Sequence, residues 1–345
     1  MDYTTFGRNN GLRVSEIALG TGNFGTAWGV GAEMPEAREI FRRFAEAGGT
    51  FIDTADNYQN GESESFLGEL LASDRDHFIL ATKYSRGAGT PPEITMAGNS
   101  RRAMIHSVEQ SLRRLNTDRI DLFWAHYDDS VTPMEEVLST FDDLVAAGKI
   151  LYCGLSNFSA WRVARGQTIA ELRGLAPIAG IQIEHSLVER SAERDLLPMA
   201  EAFGIGAALY SPLGGGLLSG IHRRGKSGAR PIVVYREDSS HRTAVVDALE
   251  RIATGIGRPL SQVAVAWQRA LNARSCTALV TVIGPRTVAQ LEDYLAALDE
   301  GLSDSDYEEL SSASVIDLGV PYDGIGGPPD LGDSRTLASR AVPVL

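Results

Sequence analysis

Three apolar runs in this 345-residue chain each end in side chains suited to proton transfer. The first, Phe51-Ile52-Asp53-Thr54-Ala55-Asp56-Asn57-Tyr58, passes from an apolar run to a carboxylate and then a phenol, just before a stretch rich in Glu and small residues. The second, Ile79-Leu80-Ala81-Thr82-Lys83, closes on one of only three lysines, set against 29 arginines. The third, Ile120-Asp121-Leu122-Phe123-Trp124-Ala125-His126, closes on a histidine. An ammonium at the end of a buried-type strand is costly unless paired, and Asp53 offers the partner. A neighbouring cation favours phenolate and lowers a tyrosine pKa from its ordinary value near ~10. His126 could orient a carbonyl oxygen by hydrogen bonding. Singly, each residue has a plain structural reading, as a salt bridge or a satisfied rim histidine. Together and in this order, Asp53, Tyr58, Lys83 and His126 suit general acid catalysis at a carbonyl.

Something must bring these strand ends to one place. Short β-rich runs at 16–19, 51–53, 79–83, 120–124, 151–156, 178–184, 206–210 and 281–283 alternate with stretches of helical periodicity. The latter lie at 35–47, 62–71, 101–115, 133–147, 159–173, 195–203, 261–271 and 288–297. Eight βα units predict an α/β chain, a (β/α)8 TIM barrel whose C-terminal rim collects the loops. Thr132-Pro133 ahead of Glu135 and Glu136 is expected to cap one helix, and Gly148-Lys149 to end it. Asp2 to Phe6 and Leu12 to Ser15 flank Gly7-Arg8-Asn9-Asn10-Gly11, which predicts a hairpin plugging one end of the barrel. Residues 1–317 read as one barrel. Two stretches break the repeat, a Gly- and Arg-rich loop at 211–240 and a Pro/Gly-rich tail at 318–345, both candidates for a lid or a mobile segment.

Composition narrows the partners. With 43% apolar and 22% charged residues the chain has material for a large core. Its net charge of −13, without a long basic run, argues against nucleic acid and anionic membrane. Two cysteines, Cys153 and Cys276, are too few for a disulfide framework, and the first residues carry no secretory pattern, so a cytoplasmic protein is expected. The longest uncharged stretch, 204–221, contains six glycines and Pro212, which suits a strand and loop rather than a spanning helix. The six histidines show no short metal-ligand spacing with each other or with a cysteine, so no metal is expected. Gly20-Thr21-Gly22-Asn23-Phe24-Gly25 fits G-x-G-x-x-G after a strand, but the loop-like stretch that follows, with Gly29 and Gly31, is not the helix a Rossmann site requires.

The segment Asp53-Thr54-Ala55-Asp56-Asn57-Tyr58, with Gly61-Glu62-Ser63-Glu64 and Leu67-Gly68, resembles the aldo-keto reductase superfamily. The resemblance continues through Ser111-Leu112-Arg113-Arg114-Leu115, Asp118-Arg119-Ile120-Asp121-Leu122, His126, Thr132-Pro133, Gly148-Lys149-Ile150 and Gly154-Leu155-Ser156-Asn157-Phe158, over about residues 3–315. It implies a barrel that uses NADPH (NADP) without a Rossmann domain. By that resemblance Tyr58 is the acid, Lys83 and Asp53 tune it, and His126 positions a small-molecule carbonyl substrate. It also implies cofactor contacts: Thr21 at the first strand end, Ser156, Asn157 and Gln182 at the nicotinamide carboxamide, and Tyr210 on its ring. Ser211, Leu213, Gly215 and Leu217 resemble the pyrophosphate loop. Gly284, Arg286 and Gln290 resemble the adenosine-phosphate segment, with Arg286 on the 2′-phosphate. Asp293-Tyr294 departs from the acid-then-Asn of the family, which puts the adenine contact in question and could weaken a preference for NADPH over NADH.

Phe24, Trp28, Tyr84 and Tyr127, with the loop at 86–100, are expected to surround the substrate and favour a hydrophobic aldehyde or ketone. Gly98-Asn99-Ser100-Arg101 resembles a loop of bacterial and fungal members near the aryl-alcohol dehydrogenase branch. Relatives that reduce keto forms of fungal toxins, a detoxification role, look similar too. Two other readings stand beside the reductase: an NADPH-sensing subunit of a larger assembly, and a Schiff-base lyase with Lys83 as nucleophile, which the neighbouring Asp53 disfavours. Oligomeric state stays open.

Overall fold

A computed structural model describes residues 1–89, 93–221, 223, 237–299 and 301–322. Strands β1 (Tyr3–Thr5) and β2 (Arg13–Ser15) form an antiparallel hairpin, pairing Tyr3 with Ser15. Eight further strands are β3 (Ile17–Gly20), β4 (Phe51–Asp53), β5 (Ile79–Tyr84), β6 (Ile120–Ala125), β7 (Ile150–Ser156), β8 (Ile178–Glu184), β9 (Gly206–Tyr210) and β10 (Leu279–Ile283). They pair in parallel, in sequence order, and β10 returns to β3 to close a barrel. The eight runs expected from sequence are these strands; three, at 51–53, 178–184 and 206–210, coincide at both ends, and the others differ by one or two residues. No helix follows Gly20 directly; the next one starts at Met34, which removes the Rossmann reading.

Outside the barrel lie α1 (Met34–Glu46), α2 (Glu62–Leu70), α3 (Arg101–Arg114), α4 (Met134–Ala146), α5 (Ala160–Arg173), α6 (Leu196–Phe203), α7 (Ser240–Ile256), α8 (Leu260–Asn272), α9 (Val288–Ala296) and α10 (Asp304–Ala313). The longer ones bury an apolar stripe; α1, for instance, turns Ala37, Ile40, Phe41 and Phe44 inward. Pro133 itself takes the cap position of α4, because the Thr132 hydroxyl is turned to Asp129 at 2.6 Å. Helices α7 and α10 were not expected. They build a second core in which Val245, Val246, Leu249 and Ile252 meet Trp267 and Leu310. Of the loop expected at 211–240, residues 222 and 224–236 lie outside the described residues, as does the tail from 323 onward.

Strand residues alternate between barrel interior and exterior, and this parity places the chemistry. Phe51, Ala81, Leu122 and Trp124 point inward and share a cluster with Phe6 from the hairpin. Ile52, Leu80, Tyr84 and Phe123 point outward beneath the helices. The next interior positions toward the C-terminal ends are Asp53, Lys83 and His126. Below them Phe6 meets Phe51 and Trp124 edge to face, at 5.6 and 6.2 Å between centroids. That layer closes because two neighbouring strands carry glycine. A Cβ on Gly154 would fall 2.4 Å from the Trp124 ring, and one on Gly180 would fall 2.3 Å from that of Phe6. Cys153 is buried core, its thiol pushed up to about 12 by burial.

Among the described residues no helix is long and apolar enough to cross a membrane. No group of three or more His, Cys, Asp or Glu among them is placed to hold a metal ion.

Candidate active site

At the C-terminal rim the Lys83 Nζ donates to Asp53 Oδ2 at 2.6 Å, to the Thr54 carbonyl at 2.8 Å and to the Tyr58 hydroxyl at 3.1 Å. All three donor positions of the ammonium are thus used, which is what makes its complete burial tolerable. Tyr58 follows β4 in a tight turn and keeps partial exposure, and its ring lies edge to face with His126 at 5.8 Å. Gln59 and Asn60, next in the chain, both adopt positive φ, of 49° and 55°. The Gln59 side chain holds this turn against the first loop, donating to the Gly22 and Val30 carbonyls and accepting from Trp28 N.

Burial sets the proton affinities. It holds the Tyr58 phenol above its ordinary range, and Lys83, pulling the other way, does not cancel it. This corrects the expectation of a lowered tyrosine pKa: removing the phenol from water outweighs one adjacent cation. Tyr58 therefore keeps its proton at neutral pH. For Lys83 desolvation acts downward, but Asp53 and Tyr58 together raise its pKa, so it stays an ammonium and is no amine nucleophile. His126 is brought well below its usual range by burial, with Lys83 and then Arg86 adding to the effect, and is neutral. A neutral imidazole beside a protonated phenol can donate a hydrogen bond without competing for the same proton.

Across the barrel, Gln182 Nε2 donates to Asp53 Oδ1 at 2.9 Å. Asn157, at φ 58°, donates from its side chain to the His126 carbonyl at 3.0 Å and to Ser156 Oγ at 2.9 Å. The Tyr210 hydroxyl donates to Asn157 Oδ1 at 2.9 Å. Gln182 is thus bonded to the quartet through Asp53, and Ser156, Asn157 and Tyr210 form a hydrogen-bonded chain joined to it through the His126 carbonyl. Beyond it Ser211 and three successive glycines, Gly214, Gly215 and Gly216, all have positive φ, and a Cβ on Gly216 would meet no atom within 4 Å. These left-handed residues fold the segment into a tight turn whose Gly214 and Gly216 amides donate to the Ser211 and Leu213 carbonyls at 2.8 and 3.0 Å. The Leu217 side chain is buried against the second core, while Leu213 is half-buried. Gly284, whose carbonyl accepts from Asn23 at 2.8 Å, and Arg286 lead into the N-terminus of α9. Gln290 Oε1 accepts from Arg286 N at 2.8 Å, and the Arg286 side chain has no ion pair among the described residues.

Four positions singled out in the sequence lie elsewhere. Thr21 is fully buried, its hydroxyl bonded to the Asp53 carbonyl at 3.1 Å and to Ser63, so it supports β4 from behind. Asp293 is turned to α8, accepting from Ser261 Oγ at 2.5 Å and Gln262 Nε2 at 3.1 Å. Tyr84 and Phe24 are fully buried in the outer core and do not line the mouth. Tyr84 follows Lys83 and takes the opposite parity, stacking on Phe123 at 5.2 Å. Trp28 and Tyr127 do reach the mouth. Trp28 meets the Tyr58 ring at 6.2 Å and Tyr127 stacks on His126 at 4.9 Å.

One layer of the site was not anticipated. Beneath the turn, Glu64 is fully buried between Thr82 Oγ1 at 2.6 Å and Arg114 Nε at 2.7 Å. Beside it Asp56 accepts from Ser107 at 2.8 Å, and its carboxyl is pushed up to about 7 by burial and by Glu64.

The aldo/keto reductase family model matches residues 16–315. An aldo-keto reductase of Aspergillus calidoustus is 32% identical, with 99% of this chain and 89% of that protein aligned. A norsolorinic acid reductase of Aspergillus flavus is 33% identical over 96% of this chain and 86% of its own length. An NADP(+) aryl-alcohol dehydrogenase of Phanerodontia chrysosporium is 35% identical over 90% and 86%.

Proposed function

Since the chain belongs to the aldo/keto reductase family and is an oxidoreductase of carbonyl or alcohol groups, we propose that it is an NADPH-dependent reductase of hydrophobic, chiefly aromatic, aldehydes and ketones. The observation that carries this reading is the quartet itself: a protonated Tyr58 held at 3.1 Å from a buried, charged Lys83, beside a neutral His126. In this reading Ser156, Asn157, Gln182 and Tyr210 hold the nicotinamide, the 211–217 backbone its pyrophosphate, and Arg286 the 2′-phosphate. The bound cofactor supplies the hydride that reaches the carbonyl carbon. His126 donates to the carbonyl oxygen and fixes its direction. Tyr58 gives its proton to that oxygen, and Lys83 stabilises the phenolate left behind until solvent reprotonates it. Residues 1–317 act as one catalytic unit and 318–345 as an appended tail. We place the activity in the cytoplasm, in keeping with two free cysteines.

The test is loss of reduced-cofactor absorbance, with NADPH and NADH in parallel, against aryl aldehydes and bulky ketones. Tyr58→Phe is expected to lower kcat by about 10²–10⁴-fold while fluorescence titration shows NADPH bound as before. Binding without turnover by the wild type points to a sensor instead, and no binding of either cofactor refutes the cradle from Ser156 to Gln290.

A further inference from the structure

Resting on the reductase reading above, we infer that Arg86 selects substrates whose aromatic body carries an anionic group distal to the carbonyl. The backbone is forced into place immediately before it. Ser85 has φ 101°, a conformation that non-glycine residues adopt only under constraint. It is held there because its carbonyl accepts from Gly98 N at 2.8 Å and its hydroxyl accepts from Tyr127 N at 3.1 Å. That turn delivers Arg86 to the substrate side of the mouth. Its guanidinium carbon lies 5.1 Å from the Tyr127 ring centroid, and that ring stacks on His126. A contiguous wall thus runs from Tyr58 through His126 and Tyr127 to a cation. Trp28, 47% exposed, stands on the other side of Tyr58. A planar ring between these aromatics, with its carbonyl at Tyr58 and His126, points its far substituents along the wall toward Arg86.

The cation there has no acid of its own. In a chain of net charge −13, Arg86 is exposed and forms no ion pair among the described residues. Two carboxylates that follow Tyr127 in the chain are engaged elsewhere. Asp128 faces Arg162 at 3.1 Å. Asp129 accepts from Asn99 N, Val131 N, Thr132 N and Thr132 Oγ1. A guanidinium already stacked on an aromatic face keeps its edge donors for a carboxylate or phenolate, which it can meet with two parallel hydrogen bonds.

The experiment compares kcat/KM for 4-formylbenzoate and 6-formyl-2-naphthoate with their methyl esters, in wild type, Arg86→Gln and Arg86→Lys. Wild type is expected to prefer the carboxylates, and Arg86→Gln to lose about 10-fold on them, equivalent to about 1.4 kcal/mol. The esters should change less than about 2-fold, and Arg86→Lys should recover part of the loss. Calorimetry with terephthalate, which cannot be reduced, should show the same loss of affinity. Equal changes on esters and carboxylates, or an unchanged carboxylate preference in Arg86→Gln, overturn the inference while leaving the reductase intact. Failure of wild type to reduce any aldehyde overturns both.

Discussion

Lys83 and Asp53 give the sharpest separation between holding the fold and doing the chemistry. The pair is buried, at 0% and 3% side-chain exposure, with Nζ and Oδ2 2.6 Å apart. Removing one partner of such a pair leaves an uncompensated charge and costs about 3–5 kcal/mol, whereas replacing both by uncharged groups of similar volume that pack well removes that penalty. Unfolding entropy near ~2.1 cal/mol/K per residue gives roughly 0.7 kcal/mol/K for this chain, so the single loss corresponds to a melting temperature lower by roughly 4–7 °C. Asp53→Asn and Lys83→Met should each show that drop in circular dichroism melts. The double variant should melt within roughly 2 °C of wild type yet turn over no faster than Lys83→Met, because Tyr58 has lost the cation that stabilises its phenolate. A double variant no more stable than either single, or one that keeps wild-type turnover, refutes this account.

Other outcomes follow from the same structure. Burial and Glu64 push the folded Asp56 carboxyl up to about 7, well above that of an unfolded aspartate, so the unfolded chain ionises it first and its burial becomes a growing penalty as pH rises through that window. Asp56→Asn should therefore melt higher than wild type at pH ~8, by an amount of order 4 kcal/mol at most, with the gap closing toward pH ~4; a gap independent of pH rules this out. Arg286→Gln should raise the dissociation constant for NADPH by about 10–100-fold while leaving NADH within about 3-fold, read by fluorescence titration. Gly180→Ala drives a methyl into the Phe6 ring and should cost about 1–3 kcal/mol in urea unfolding, and pairing it with Phe6→Leu should restore part of that loss.

Much of the barrel was legible because each buried parallel strand is a short, mostly apolar run, and the quartet because the residues that close three of these runs are chemically unusual. Parity was legible too: Tyr84, adjacent to Lys83, has to face the opposite side of the sheet, and reading it as a mouth residue neglected that alternation. Helix α7 was hidden behind the Arg- and Ser-rich stretch before it, although Val245, Val246, Leu249 and Ile252 have helical spacing. The proton affinity of Tyr58 could not be read from its neighbours alone, since it depends on how much water the fold excludes. Nor does any spacing announce that Asp293 serves the start of α8, a contact between segments 32 residues apart.

Closure of the ring has a consequence for how the protein comes into being. Residues 17–19 of β3 pair with residues 281–283 of β10, so as the chain leaves the ribosome the first barrel edge waits, unpaired, for the last of the barrel strands. Over that interval the acid, its cation and the histidine, all on β4 to β6 and their ends, are already synthesised, while the surfaces proposed to grip the dinucleotide are still to come. Gln182 to Asp53 and Asn157 to the His126 carbonyl are the stitches that later join the two halves at the rim. A chain divided between α4 and β7 would therefore part reactivity from cofactor capture, and recovery of turnover on mixing the fragments would report that these stitches had reformed.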